Sequence, residues 1–303
     1  MSDLEWVLAI PHEQAFKRME EPWGGAKTNY LTGIKETLEE NYGPIHFTRL
    51  YFGEEFCERA LSTGKALEEA VAAAEERGWG FTYVTPYLTE TGLTKVRRLL
   101  DILAQTKPEA EVVINDWGVL DWVTEHHPTF TPVLGRLMNK IIRDPRMPDS
   151  LRNSPDQTVM HKFRTCNLAG GEMKDLLDQY QVKRIELDYP PQGLDPNLPA
   201  WGYDISLSIP YGVIMTGRIC LMQSWGLAAG EKFRTTGPCP RRCRLGWLEL
   251  SDPSGRVKKD QDWQIMQKGN TVFYRQSKEF LAEILTEAEK TGVSRMIFQP
   301  EPI

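Results

Sequence analysis

The sequence contains no uninterrupted apolar run of the roughly 18 residues that a membrane-spanning helix needs. Its first six residues, Met1 to Trp6, have neither the basic start nor the long apolar stretch of a secretory signal. We therefore expect a cytoplasmic protein without a membrane span. Neither sign of charge dominates, because 36 Lys and Arg against 42 Asp and Glu give a net charge of −6. Bulk electrostatics thus argue against a wholly basic nucleic-acid binder but leave room for a local basic surface.

Cysteine is scarce, and the number of cysteines is odd. Five cysteines in a reducing compartment do not predict a disulfide framework, which leaves metal binding, catalysis or simple burial. Hydrolytic motifs are missing too: the chain has no G-x-S-x-G elbow and no H-E-x-x-H helix. His12, just after the first predicted strand, is a weak candidate for a site residue.

Short β-rich runs alternate with helical runs, which is typical of parallel βαβ units. The predicted strands cover 6–11, 47–52, 81–85, 111–115, 132–137, 184–189, 205–209 and 296–299, and the predicted helices cover 64–77, 91–105, 173–180 and 277–291. They predict an α/β fold, a TIM-like (β/α) barrel in a single domain, 1–303. A doubly wound open sheet is the alternative, weakened because no Gly-rich dinucleotide fingerprint follows the first strand. The segment 217–259 fits neither pattern and predicts an elaborated loop region.

The strongest local signal is the Cys-x₃-Cys pair of Cys239 and Cys243, with Cys220 upstream and 18 residues between Cys220 and Cys239. Four cysteines are the usual ligands of an iron–sulfur cubane, and four tetrahedral ligands are usual for structural zinc. Spacing does not decide between iron and zinc. Local charge favours a cluster, because eight Lys and Arg against three Asp and Glu between 231 and 259 would offset its negative charge. Arg241, Arg242 and Arg244 are the nearest candidates; the alternative is a solvated basic loop with incidental cysteines.

Several segments, in order, resemble one known family. They are G-E-x-x-C at 53–57, N-D-x-G at 115–118, G-R-x-x-N at 135–139, and the runs 184–188 and 211–220. This order resembles the collagenase-like U-32 peptidase family, in particular its UbiU/UbiV branch, over residues 45–245. The long stretch between Cys220 and Cys239 departs from the pattern of that branch.

The resemblance implies a barrel that holds a [4Fe–4S] cluster through Cys57, Cys220, Cys239 and Cys243. Cys166 matches no ligand element and is expected to be a buried thiol. The implied function is oxygen-independent hydroxylation of an aromatic or quinone precursor in anaerobic ubiquinone biosynthesis, with prephenate as possible oxygen donor. A homologous cluster-bearing subunit would complete a heterodimer, or a second copy of this chain would. Two alternatives are hydroxylation of RNA bases, with the basic segment 234–259 on the phosphates, and a non-catalytic partner subunit with a structural cluster.

Four polar residues are candidates for catalysis: Arg136, Glu186, Asp188 and Asp116. Arg136 is suited to clamp a substrate carboxylate in a bidentate pair, or to form an internal salt bridge with Asp116 or Glu186. Glu186 and Asp188 alternate along one predicted strand and therefore share a face. If that face is the barrel interior, they form a paired-carboxylate proton shuttle; if it is the outside, they cap helices. Cys57 after the second strand and Cys220 after the seventh are expected at the C-terminal mouth.

Overall fold

Eight parallel strands close a barrel in the computed structural model, which describes residues 4–24, 28–232, 237–250 and 263–302. In chain order the barrel strands are β1 (Glu5–Ile10), β2 (Arg49–Phe52), β3 (Gly80–Val84), β4 (Glu111–Ile114), β5 (Thr131–Leu134), β6 (Arg184–Asp188), β7 (Asp204–Ile209) and β12 (Val293–Phe298). Each of the eight predicted strands overlaps one of these. The sequence prediction of a TIM-like (β/α) barrel is therefore confirmed.

Helices connect the barrel strands. Their bounds are α1 (Thr28–Tyr42), α2 (Gly64–Glu76), α3 (Glu90–Thr106), α4 (Trp117–His126), α5 (Asp149–Arg152), α6 (Gln157–Arg164), α7 (Gly171–Gln179), α8 (Leu221–Ser224) and α9 (Lys278–Lys290). Side-chain oxygens of Thr63, Thr89 and Ser277 accept backbone N–H groups at the starts of α2, α3 and α9, which satisfies donors that a helix leaves unpaired. Within the described ranges, no helix has the length and apolar character needed to cross a membrane.

Barrel strands read as nearly continuous apolar runs because both of their faces are buried. One buried cluster includes Val7, Val84, Val113 and Ile297, which come from different strands and fill the barrel interior. A much larger cluster contains the alternate strand residues, such as Leu8, and the inward faces of the surrounding helices. The apolar layers inside and around the barrel therefore stabilise the fold, and polar residues gather at its C-terminal mouth.

A small antiparallel sheet is inserted between the last two barrel strands. Its order is β8 (Tyr211–Thr216), β11 (Thr271–Arg275), β10 (Gln264–Lys268) and β9 (Leu248–Glu249). Sequence analysis predicted only an elaborated loop at 217–259. The insert begins earlier, at β8, and contains regular strands. Residues 233–236 and 251–259 of the predicted segment lie outside the described residues.

Candidate metal centre at the barrel mouth

Four of the five cysteines line one cavity of about 230 Å³ at the C-terminal mouth of the barrel, next to the inserted sheet. They are Cys57, Cys220, Cys239 and Cys243, and each is partly exposed. Cys166 is buried elsewhere, where its sulfur accepts the backbone N–H of the residue two positions later at 3.4 Å. The structure thus brings together the four cysteines that the family resemblance selected.

The barrel supplies Cys57, and the insert supplies Cys220. Cys57 follows β2 after a turn at Gly53, where φ is +131° and an added Cβ would lie 2.3 Å from the carbonyl oxygen of Val84. This close approach requires glycine. Cys220 follows β8, not the seventh barrel strand as expected, because the chain leaves the barrel at the end of β7. Its sulfur accepts the backbone N–H of Gln223 at 3.4 Å at the start of α8.

Cys239 and Cys243 belong to a loop that is fastened by the arginines of the Cys-x₃-Cys segment. Arg242 donates to the carbonyl oxygen of Trp225 at 2.6 Å, and Arg244 pairs with Glu13 at 3.2 Å. Arg241 donates to a main-chain carbonyl of the barrel loop after Cys57 at 3.4 Å. These arginines therefore tie the insert to itself and to the barrel.

Two other arginines line the cysteine cavity, and sequence analysis did not select them. Arg59 donates to the side chain of Gln223 and to the carbonyl oxygen of Gly237, both at 3.2 Å. Arg218 lies over the ring of Tyr87, 5.1 Å from its centroid. Their guanidinium groups are placed to offset negative charge in the cavity.

The turn between β10 and β11 forms part of the cavity wall. Gly269 has φ of +62°, and an added Cβ would lie 3.5 Å from the Cβ of Cys243. The side-chain amide of Asn270 donates to the carbonyl oxygens of Phe56 and Gly217, each at 2.7 Å. Asn270 thus joins the chain just before Cys57 to the chain just before Cys220. The sequence signal was the two-residue Gly–Asn turn between β-rich runs, which is typical of a hairpin.

The cavity disfavours free thiolates. Burial raises the pKa of Cys57 to about 12, against a hydrogen bond from the backbone N–H of Arg59, and it raises the pKa of Cys243 to about 11. Burial also raises the pKa of Cys220. A bound cation would have to displace these thiol protons.

The donor set suits an iron–sulfur cluster in number and chemistry. Thiolates are the usual ligands of iron–sulfur cubanes, in which each of four cysteines binds a different iron. Within the described residues, no three His, Cys, Asp or Glu side chains are gathered closely enough to hold a single metal ion. The four cysteines line the cavity from three segments of the chain.

Arg136 lies at the centre of a buried ion network inside the barrel mouth. It is fully buried, and its guanidinium makes a bidentate pair with Glu55, with two N–O distances of 2.8 Å. Asp188 accepts from it at 2.8 Å and also pairs with Arg143 at 2.7 Å. The partners are therefore Glu55 and Asp188, and not Asp116 or Glu186 as the internal alternative predicted. A substrate carboxylate would have to displace one of them.

Glu186 and Asp188 both point into the barrel, as their alternation on one strand allows, and both are buried. Burial raises the pKa of Glu186 to about 8, the charge of Glu55 adds to this effect, and Arg136 opposes it. One carboxyl oxygen of Glu186 has no hydrogen-bond partner among the described residues. Burial therefore favours the protonated form of Glu186, whereas Asp188 is held between two arginines.

Asp116 caps a helix. It does not line the cysteine cavity, and it takes no part in the ion network around Arg136. One carboxylate oxygen accepts the backbone N–H of Gly118 at 2.8 Å at the start of α4, and the other accepts the backbone N–H of Leu88 at 3.0 Å in the loop before α3. The neighbouring Asn115 accepts the N–H of Leu137 at 3.1 Å. An added Cβ on Gly135 would lie 2.3 Å from Asn115. The N-D-x-G and G-R-x-x-N elements thus have packing roles that explain their residue types.

Comparison with known proteins gives distant structural matches. No protein-family model and no curated protein matches the chain. A U-32 peptidase structure matches with a TM-score of 0.43 and 10% identity, over 100% of this chain and 95% of the other. A dihydropteroate synthase from Xanthomonas albilineans matches with a TM-score of 0.38 and 11% identity, over 97% of this chain and 87% of the other. Catalytic domain 2 of an Ostrinia furnacalis group II chitinase matches with a TM-score of 0.39 and 10% identity, over 98% of this chain and 90% of the other. Scores below 0.5 assign neither a family nor an activity.

Proposed function

We propose that the four cysteines of the barrel mouth hold a [4Fe–4S] cluster. The observation that carries the proposal is that Cys57, far away in sequence, lines the same cavity as Cys220, Cys239 and Cys243, whereas Cys166 does not. A cluster bound there would supply one-electron transfer.

We further propose that the chain is a subunit of an oxygen-independent hydroxylase of the UbiU/UbiV type within the U-32 family. The ordered sequence elements at 53–57, 115–118 and 135–139 support this assignment. An aromatic or quinone precursor is the proposed substrate, with prephenate as the proposed oxygen donor. Arg218, Arg59 and Tyr87 at the cavity rim are better placed than Arg136 to meet a carboxylate and a ring, because Arg136 already pairs with two buried carboxylates.

A homologous cluster-bearing subunit is the proposed partner. Among the described residues, seven of the ten exposed large apolar side chains lie between 215 and 250, including Trp225 at 57% and Leu245 at 89% exposure. Exposed apolar side chains concentrated in one segment of the surface are typical of a protein–protein interface. We expect Leu245→Glu to abolish copurification with the partner and Leu151→Glu, an exposed leucine outside the insert, to leave it intact. Loss in both variants, or in neither, would contradict the proposed interface.

The cluster itself is tested by measuring iron, acid-labile sulfide and the absorption spectrum of protein purified without oxygen. We expect about four irons per chain and broad absorption near 400 nm, as is usual for a cubane. Cys57→Ala should lose the iron, and the matched Cys166→Ala should keep it. Zinc in place of iron, or iron content indifferent to Cys57→Ala, would overturn the proposal.

Hydroxylation is tested on the reconstituted pair of subunits. The pair is incubated without oxygen with a quinone precursor and prephenate, and mass spectrometry detects the added oxygen. We expect product from the wild-type pair and none from a pair containing Cys57→Ala. Equal turnover without the cluster in this chain would instead identify it as a structural partner. A parallel incubation replaces the quinone precursor with ribosomal and transfer RNA, and hydroxylated RNA without any quinone product would favour the RNA alternative.

A further inference from the structure

His12 is a buried imidazole whose polar atoms are not satisfied by the protein. It follows β1 at the barrel mouth and is 5% exposed. Neither of its ring nitrogens has a hydrogen-bond partner in the part of the chain that the structure describes. Buried polar groups are almost always hydrogen-bonded, to protein or to ordered water. An imidazole with two unsatisfied nitrogens therefore points to a ligand beside it.

A separate cavity of about 30 Å³ lies against this imidazole and is called the His12 cavity here. Its lining includes His12, Glu54, Lys268, Cys57 and Cys243. The last two also line the larger cysteine cavity, so the two cavities share a wall. One water molecule needs about 10–15 Å³ of such space. The His12 cavity therefore has room for about two water molecules and for little else.

The charges around the His12 cavity favour a neutral ligand. Lys268 pairs with Glu301 at 3.0 Å and Arg244 pairs with Glu13 at 3.2 Å, so each cation has a carboxylate partner. Burial raises the pKa of the remaining carboxyl in the lining, Glu54, to about 7. Burial, assisted by the charge of Arg244, lowers the pKa of His12 to about 4. A neutral imidazole offers one donor and one acceptor, the combination that water satisfies.

We propose that the His12 cavity binds a pair of water molecules that hydrogen-bond to His12 and donate to the sulfurs of Cys57 and Cys243. The binding of water follows from the cavity alone. The effect on a cluster rests on the function proposed above. Reduction adds negative charge to a cluster, and hydrogen bonds to its sulfurs stabilise that charge. The waters therefore raise the reduction potential.

The first test is a high-resolution crystal structure of the cluster-free protein and of His12→Phe. The variant keeps a ring and removes both nitrogens, and circular dichroism checks that it folds. We expect two ordered waters within hydrogen-bond distance of His12 in the wild type and fewer in the variant. A cavity without ordered water in the wild type, or one filled by an ion, overturns the proposal whether or not the protein binds iron.

The second test is a redox titration of the iron-loaded protein. We expect a lower midpoint potential in His12→Phe and a wild-type potential in His12→Gln, which restores a donor and an acceptor. His127→Phe is the matched control, because that histidine has a 10% exposed side chain and lines neither cavity. An unchanged potential in His12→Phe, or an equal shift in His127→Phe, overturns the effect on the sulfurs. Absence of iron from the wild type would instead refute the proposed function and leave the water site to the crystal structure.

Discussion

Replacing Arg136 with methionine would test the ion network at the barrel mouth. The substitution removes the cation that pairs with Glu55 and leaves that carboxylate buried beside Glu186. Removing one member of a buried ion pair typically costs about 3–5 kcal/mol, because the remaining charge has lost both water and its partner. Asp188 keeps its pair with Arg143, so most of the lost unfolding free energy should come from the unpaired carboxylate of Glu55. We expect a loss of about 3–5 kcal/mol in the free energy of unfolding.

Urea titration followed by circular dichroism measures this loss. The control is Arg146→Met, since Arg146 pairs with Asp144 at the surface, where the side chains are 42% and 34% exposed. Exposed pairs contribute about 0–1 kcal/mol. Adding Glu55→Gln to Arg136→Met removes the unpaired charge and should restore at least about 1 kcal/mol.

The pH dependence of Arg136→Met gives an independent check. Without its arginine, Glu55 has a folded-state pKa above its unfolded value, so the folded chain binds more protons than the unfolded chain. Stability of the variant relative to the wild type should therefore recover as the pH falls from 7 towards 5. A deficit below about 1 kcal/mol at pH 7, or one that grows on acidification, would refute the reasoning.

Three further substitutions probe other parts of the mouth. Glu186→Gln should stabilise the protein at pH 8 and above and have little effect near pH 4, because the raised pKa of Glu186 makes the folded chain lose stability as the pH rises from the ordinary value of 4.5 to about 8; urea titrations at pH 4 and above pH 8 decide this. Asn270→Ala should cost about 1–3 kcal/mol of stability and lower the iron content, whereas Asn41→Ala, which removes one hydrogen bond of an exposed side chain on α1, should change neither. Gly135→Ala should unfold at lower temperature, since an added Cβ would lie 2.3 Å from a buried amide; Gly171→Ala, with open space around it, should not. An equal effect in either control would count against the corresponding contact.

The barrel was predictable from sequence because its strands are locally encoded. Each is an apolar run bounded by a helix or turn, and such a run can be recognised without knowing which strands pair with it. The inserted sheet was not predicted, because its first strand, β8, pairs with β11 some 60 residues later in the chain. Only the Gly269–Asn270 turn gave a local signal.

The candidate cysteine ligands could be predicted from the sequence, whereas the contacts of the polar residues at the barrel mouth could not. Spacing grouped Cys220, Cys239 and Cys243, whereas Cys57 came only from the family resemblance, because barrel closure and not local sequence brings it to the insert. The alternation of β6 placed Glu186 and Asp188 on one face but did not say which residues lie opposite them. Partners across a barrel depend on the stagger of its strands, which the sequence does not display.

The walls of the cysteine cavity come from distant parts of the chain, and this sets an order of assembly. Cys57 precedes most of the barrel, whereas Gly269 and Asn270 come shortly before the last barrel strand. Contacts between such distant segments form slowly, because the entropy of loop closure must be overcome first. The cavity therefore becomes complete only when the barrel has closed and the insert has docked. Any cofactor it takes must be delivered to a folded chain, in contrast to small zinc domains that fold around their metal.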